Sequence, residues 1–304
     1  MKNLKTIIFT GFLTLNSVFS IQSTKAEEFR MPKCPISPLP EYSDLLALDN
    51  TDLNSFECLG TPEKYEITIY EMGLCSTDNH PIRGVSGEKI WDKRNCVPTM
   101  ISDINGTKVD LAPGSSGTKI AALPSAPERP GNGKYNFAYI LISSAFNLKG
   151  SYELADGTTY YSKQGNDEFG PFGAADKTLT VSQEHGEEVD NIGMEDGPWT
   201  VANGAEMSSA FPMEGGKMSA ILLNDCNHLT NSCSNTTDAK ATSQKTVSKL
   251  LAIFEPKSDI NISDNTNGVE LKLVVKQGGY LIGGNDTDIE FFGSAPFRPE
   301  INTF

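Results

Sequence analysis

The chain has little of what most enzymes use to move protons or bind metals. Its 304 residues hold three histidines, His80, His185 and His228. None falls in an H-E-x-x-H frame, which would place two imidazoles on one helical face. "PGSSG" (Pro113–Gly117) is not G-x-S-x-G, so no serine sits at the sharp strand-to-helix turn that a hydrolase triad needs. Positive charge is also short, with 25 Lys and Arg against 39 Asp and Glu. Without a basic stripe, nucleic acid and anionic membrane surfaces are poor partners. No apolar run reaches the roughly 20 residues of a spanning helix. No glycine-rich loop follows a strand and opens a helix, so nucleotide phosphates find no cradle.

What is present begins with an export signal. Lys2 and Lys5 give a positive start, Ile7 to Ile21 an apolar stretch, and Thr24-x-Ala26 a small-residue cleavage pattern. Residues 1–26 are therefore expected to be removed, leaving a mature chain with no membrane span in the periplasm, in the medium or at the cell surface. Loss of Lys2, Lys5 and Lys25 takes the net charge from −14 to −17.

Six cysteines remain in that chain: Cys34, Cys58, Cys75, Cys96, Cys226 and Cys233. An even number in an exported chain reads as a disulfide framework. Nearness in sequence pairs Cys34 with Cys58, Cys75 with Cys96, and Cys226 with Cys233. A bridge closing about 20 residues is worth roughly 3 kcal/mol in the chain-entropy model. Cys226-Asn-His228-x4-Cys233 groups two thiols with an imidazole, but structural zinc wants four ligands and only three are local. No cysteine has the histidine partner or helix N-terminus of a nucleophile.

From residue 61 the pattern has period two. Residues 27–60 form a proline-rich lead-in, with a short helix expected in "SDLLALDN" and Ser43 as its N-cap. "KYEITIYEMGLC" (Lys64–Cys75) alternates through Tyr65, Ile67 and Ile69, then turns apolar on both faces at Tyr70, Met72 and Leu74. Asn105-Gly106 lies between "TMISDI" and "TKVDLA", the pattern of a tight hairpin. "KYNFAYILISSAFNLKG" is a strand apolar on both faces, which belongs inside a sandwich or under a covering loop. "SKLLAIFEP" and "VELKLVVK" continue the series. "KATSQKTVSKLL" (Lys240–Leu251) is the one stretch that reads as a longer helix. Residues 162–215 form a loop-rich acidic insertion between two halves, 61–161 and 216–304. The expectation is an all-β antiparallel sandwich with long acidic loops.

The order "YEITIYEMGLC", "VDLAPGSSG", "RPGNGKYNFAYILISSAFNLKG" resembles a bacterial secreted domain family of unknown function with a prealbumin-like (transthyretin-type) sandwich. Val109-Asp110-Leu111 matches its second strand, and Pro130–Tyr135 matches its P-x-G-x-Y turn with inserted residues. The resemblance covers residues 61 to about 155. It implies a noncatalytic exported module and brings no active residue with it.

Other candidate chemistry is thin. Ser258–Glu270 and Gly283–Glu290 offer oxygen ligands for calcium near glycines, both outside the EF-hand register. No cofactor is otherwise expected, and no metal ligand or catalytic residue is assigned. His185 lies in the acidic run "EHGEEVD", and His80 precedes Pro81 in a turn. Trp91 and Trp199 are the candidate platforms for sugar stacking. Asn105, Asn235, Asn261 and Asn285 head formal glycosylation sequons. The composite expectation is a noncatalytic exported protein with a structural, adhesive or ligand-binding role. Its partners would be itself, a cell-surface protein or a glycan, through a sheet edge or the acidic loops. The rival is a secreted carbohydrate-active or metal-dependent hydrolase, which should gather carboxylates and an aromatic in one cleft.

Overall fold

The computed structural model describes residues 32–48, 56–85, 88–112, 118–119, 129–161, 181–184, 215–236, 247–283, 289–294 and 298–304. The export signal, His185, Trp199, "PGSSG" and all but five residues of the 162–215 insertion lie outside them. The fold is all-β and antiparallel. Among the described residues, eight strands form the main sheet: β1 (Lys64–Cys75), β2 (Cys96–Ile101), β3 (Thr107–Asp110), β4 (Phe137–Ser143), β5 (Ala145–Lys149), β6 (Val181–Glu184), β7 (Gly216–Asn224) and β8 (Val247–Pro256).

Strand β1 is the spine. One edge pairs with β4 and then β5, laid end to end; the other pairs with β2 and then β3. Outward from these, β8 pairs with β4, β7 with β8, and β6 with β5. Strands before and after the acidic insertion thus share one sheet.

Three local expectations are corrected. Asn105-Gly106 makes no hairpin, because β2 and β3 both run antiparallel to β1 along the same edge, with Glu71 opposite Ile101 and Ile69 opposite Thr107. Residues 102–106 loop out between them. Gly106 takes φ +77° and donates its N–H to the Asp103 carbonyl at 3.1 Å. The long edge of β1 offers both flanks a partner, so the turn only absorbs slack in register. The helix expected at Lys240–Leu251 is also absent from its described part, where Val247 begins β8. There Leu250 and Ala252 alternate with Leu251 and Ile253 into two cores, and a period of two overrides helix propensity. The short helix α1 does form, at Tyr42–Leu46, but its N-cap is Glu41, whose N–H is accepted by Asp44 Oδ2 at 2.9 Å.

Both faces of the main sheet are covered. On one, Ile67, Ile69, Met72, Ile140, Ile142, Leu222 and Leu250 meet Phe56, Cys58, Leu273 and Leu281. The latter residues belong to two small sheets, Phe56–Gly60 with Gly279–Gly283 and Ile289–Ser294, and Val269–Val274 with Arg298–Thr303 and Thr118–Lys119. On the other face, Tyr139, Leu141, Ile221, Leu223, Leu251 and Ile253 are roofed by a short hairpin, Ile82–Val85 paired with Glu88–Trp91, and by the loop closed by Cys226 and Cys233. Outside that hairpin the second roof is loop, and two disulfides fall at this loop-covered face.

The three bridges join Cys34 to Cys58, Cys75 to Cys96, and Cys226 to Cys233. The pairing is the one sequence proximity gives. Cys75 and Cys96 are direct cross-strand neighbours at the mouth of the loop that holds Trp91. Such a framework fits an oxidising, exported setting.

Candidate functional site

The site is built by an irregularity in β1. Opposite β4 the register slips between Ile69 and Glu71, so Tyr70 is an extra residue, a β-bulge. Before it, Tyr65, Ile67 and Ile69 point into the first core; after it, Met72 does. The slip sends Tyr70 and Glu71 together to the loop-covered face. The Tyr70 carbonyl stays paired, accepting the Ser102 N–H at 2.9 Å.

Glu71 arrives there as a carboxylate only 1% exposed. Lys93 Nζ lies 2.6 Å from Oε1 and 2.8 Å from Oε2, and the Tyr139 hydroxyl donates to Oε1 at 2.6 Å. Lys93 also donates to Asn231 Oδ1 at 3.1 Å and stands 5.3 Å from the Trp91 ring centroid. A buried charge needs such compensation, since desolvation costs several kcal/mol per ion. Burial, and then the charge of Glu71, hold the Tyr139 phenol far above its ordinary value, so it remains a donor. Room for its ring comes from Gly73, where a Cβ would overlap the Val97 carbonyl and the ring itself.

Tyr70 forms the second half. Its ring lies 5.5 Å from that of His228 and 4.8 Å from Lys249 Nζ, which is paired with Asp225 at 3.2 Å. Burial raises the Tyr70 phenol above its usual value. His228 is 3% exposed; its Nε2–H donates to the Ser102 carbonyl at 3.1 Å, while Nδ1 finds no partner among the described residues. The Cys226–Cys233 loop is therefore seated on the 102–106 loop. It also meets the 91–94 segment, where Asn235 N–H donates to the Trp91 carbonyl at 2.6 Å and Asn235 Oδ1 accepts from Lys93 N–H at 3.2 Å.

Between these two disulfide-tied loops opens a cleft of about 470 Å³. Glu71, Lys93, Arg94, His228, Leu229 and Asn235 are among its lining residues. Arg94 is mostly exposed, with Nε and Nη2 on the carboxylate of Asp92 at 2.9 and 2.7 Å. Leu229 leaves about half of its surface exposed.

The other candidate residues are scattered. His80 is half-buried against Phe137, and its Nδ1 accepts the Ile82 N–H. Trp91 is buried at 1% exposure and cannot stack on a sugar. In the Ser258–Glu270 turn, the Ser263 and Thr266 carbonyls accept from Arg129, and Asp264 accepts from Asn132. A guanidinium thus occupies oxygens that calcium would use. No group of three His, Cys, Asp or Glu is placed to hold a metal among the described residues. Most of the second calcium stretch lies outside them. Of the sequon asparagines, Asn105, Asn235 and Asn261 are exposed and Asn285 lies outside the described residues.

Sequence reasoning missed Glu71, Lys93, Tyr139 and Asn231. The one available signal was the change of phase in "YEITIYEMGL", where alternation breaks at Tyr70-Glu71.

Fold and site together define a disulfide-braced antiparallel β protein with a loop-walled polar cleft. Comparison with family models, with curated proteins and with solved structures finds no match for this chain.

Proposed function

We propose that the protein is an exported, noncatalytic β module that holds a small polar ligand, or a polar segment of a partner, at the periplasm or cell surface. The observation that carries this reading is the cleft itself. Its volume falls in the range of about 300–1,000 Å³ usual for ligand sites. Its walls are loops pinned by two disulfides, so the geometry is organised before anything binds. Arg94, Asn235 and Leu229 offer charge, amide and aliphatic contact at its opening. The prealbumin-like resemblance of residues 61 to about 155 agrees with a binding or adhesive module.

The hydrolase alternative has less support. Glycoside hydrolysis needs two carboxyl groups flanking the bond. Among the described residues, Glu71 is the single carboxylate lining this cleft, and its oxygens are engaged by Lys93 and Tyr139.

The test is to screen the mature, oxidised protein against glycan and short-peptide arrays, then map any hit by amide chemical shifts. Shifts should concentrate at Arg94, Leu229 and Asn235. Arg94→Glu and Leu229→Asp should weaken the hit at least tenfold, while Lys257→Glu, just past the far end of β8, should leave it unchanged. A hit that maps elsewhere, or that survives both cleft variants, sinks the reading.

A further inference from the structure

The Glu71–Lys93–Asn231 contact has the parts of a covalent reaction. We propose that Lys93 and Asn231 become joined by an isopeptide bond within the folded chain, with Glu71 shuttling the protons. An amine, a carboxamide and a carboxylate come from three separate segments: β1, the loop closed by Cys75–Cys96, and the loop closed by Cys226–Cys233. Lys93 Nζ contacts both Glu71 oxygens, at 2.6 and 2.8 Å, and Asn231 Oδ1 at 3.1 Å. The amine is therefore held beside the carbonyl it would attack, and held there by its base. Fixed proximity of this kind is worth effective concentrations on the order of 10⁵ M or more.

The chemistry balances without an added reagent. Glu71 takes one proton from the Lys93 ammonium, and the free Nζ forms a bond to Asn231 Cγ. Glu71 returns that proton to Nδ2 as the Cγ–Nδ2 bond breaks, and ammonia leaves. The second amine proton passes through Glu71 to the departing ammonia, which exits as ammonium. Nothing is oxidised or reduced.

The surroundings hold the reacting groups together. Lys93 and Glu71 form an ion pair at 14% and 1% side-chain exposure, beside the Trp91 ring. Tyr139 Oη fixes the carboxylate, acting as a positioning residue. Asn231 is exposed at the surface, which gives the ammonia a way out. The bond would also complete the brace: neither roof disulfide links its loop to the other, and Lys93–Asn231 does.

Intact-mass spectrometry of the mature, reduced protein tests this independently of any ligand. The expected mass is one ammonia below that of the sequence, with a branched tryptic peptide joining Lys93 to Asn231. Glu71→Gln and Asn231→Ala should both show the full mass of their sequence, with no loss of ammonia and no branched peptide. If Glu71→Gln fails to fold, Asn231→Ala still decides, because it leaves the Glu71–Lys93 pair intact. Asn231→Asp should yield the wild-type final mass, since loss of water replaces loss of ammonia. A full-mass wild type, or a mass deficit without the branched peptide, overturns the proposal.

Discussion

Single side chains at the bulge show how a buried charge is made tolerable. Tyr139 donates to Glu71 at 2.6 Å while packing at 5.2 Å from Trp91, so it supports both charge and core. Tyr139→Phe keeps the ring and removes the donor. The loss should be about 2 kcal/mol, in the range for hydrogen bonds to charged groups, read as a lower urea midpoint at unchanged slope. An unchanged midpoint would mean that water or Lys93 fully replaces the hydroxyl. A second tyrosine gives a pH signature. Burial raises the Tyr152 phenol from 10.0 to about 12, and its hydroxyl donates to the Pro35 carbonyl at 2.5 Å. Below pH 10.0 both folded and unfolded chains keep that proton, and the contribution is whole. Between pH 10.0 and about 12 the unfolded phenol ionises while the folded one does not, so stability falls. Tyr152→Phe should lack this component, and the wild-type-minus-variant unfolding free energy should decline across that window. A flat difference would contradict the shift.

At the level of elements, the disulfides should differ in what they protect. The Cys75–Cys96 bridge spans 21 residues and Cys226–Cys233 only 7. Chain entropy alone makes the first worth about 1 kcal/mol more than the second. Replacement of Cys75 and Cys96 by serine should therefore destabilise more than replacement of Cys226 and Cys233. Hydrogen exchange in either variant should rise first in the roof loops, with β1, β4 and β8 still protected. Uniform loss of protection would show that the bridges act only through global stability. The elements also show what sequence could convey. β1 was legible through the alternation of Tyr65, Ile67 and Ile69, and β4 through a short run apolar on both faces. The bridges were legible because each joins sequence neighbours. The partner of a turn was not: Asn105-Gly106 encodes a local reversal, and only the long free edge of β1 decides that β2 and β3 pair with it rather than with each other. Val247–Leu251 misled for a related reason, since two neighbouring strands impose its conformation. The site stayed hidden because Glu71, Lys93 and Asn231 converge only once the bulge and both disulfide loops are in place.

For the whole molecule, the main sheet is the shared wall of two cores. Tyr139 and Leu141 face the loop-roofed core while Ile140 and Ile142, on the same strand, face the sheet-roofed one. Neither core can be lost without exposing the back of the strand that lines the other. The oxidised protein should thus unfold in one cooperative step although its two roofs differ in kind. Trp91 makes this measurable, because it is buried in the loop-roofed core. In a Trp199→Phe background its fluorescence reports that core alone, while far-ultraviolet circular dichroism reports the sheets. The two urea transitions should coincide when the disulfides are intact. After reduction the roof loses its disulfides while the sheet keeps its ladder, and the fluorescence midpoint should fall below the dichroism midpoint. If the transitions separate even in the oxidised protein, the roof is an independent unit and the main sheet is not the structure that binds the two cores together. If they coincide even after reduction, the loop roof is held by Trp91, Ile82 and the Glu71–Lys93–Asn231 contact rather than by its disulfides.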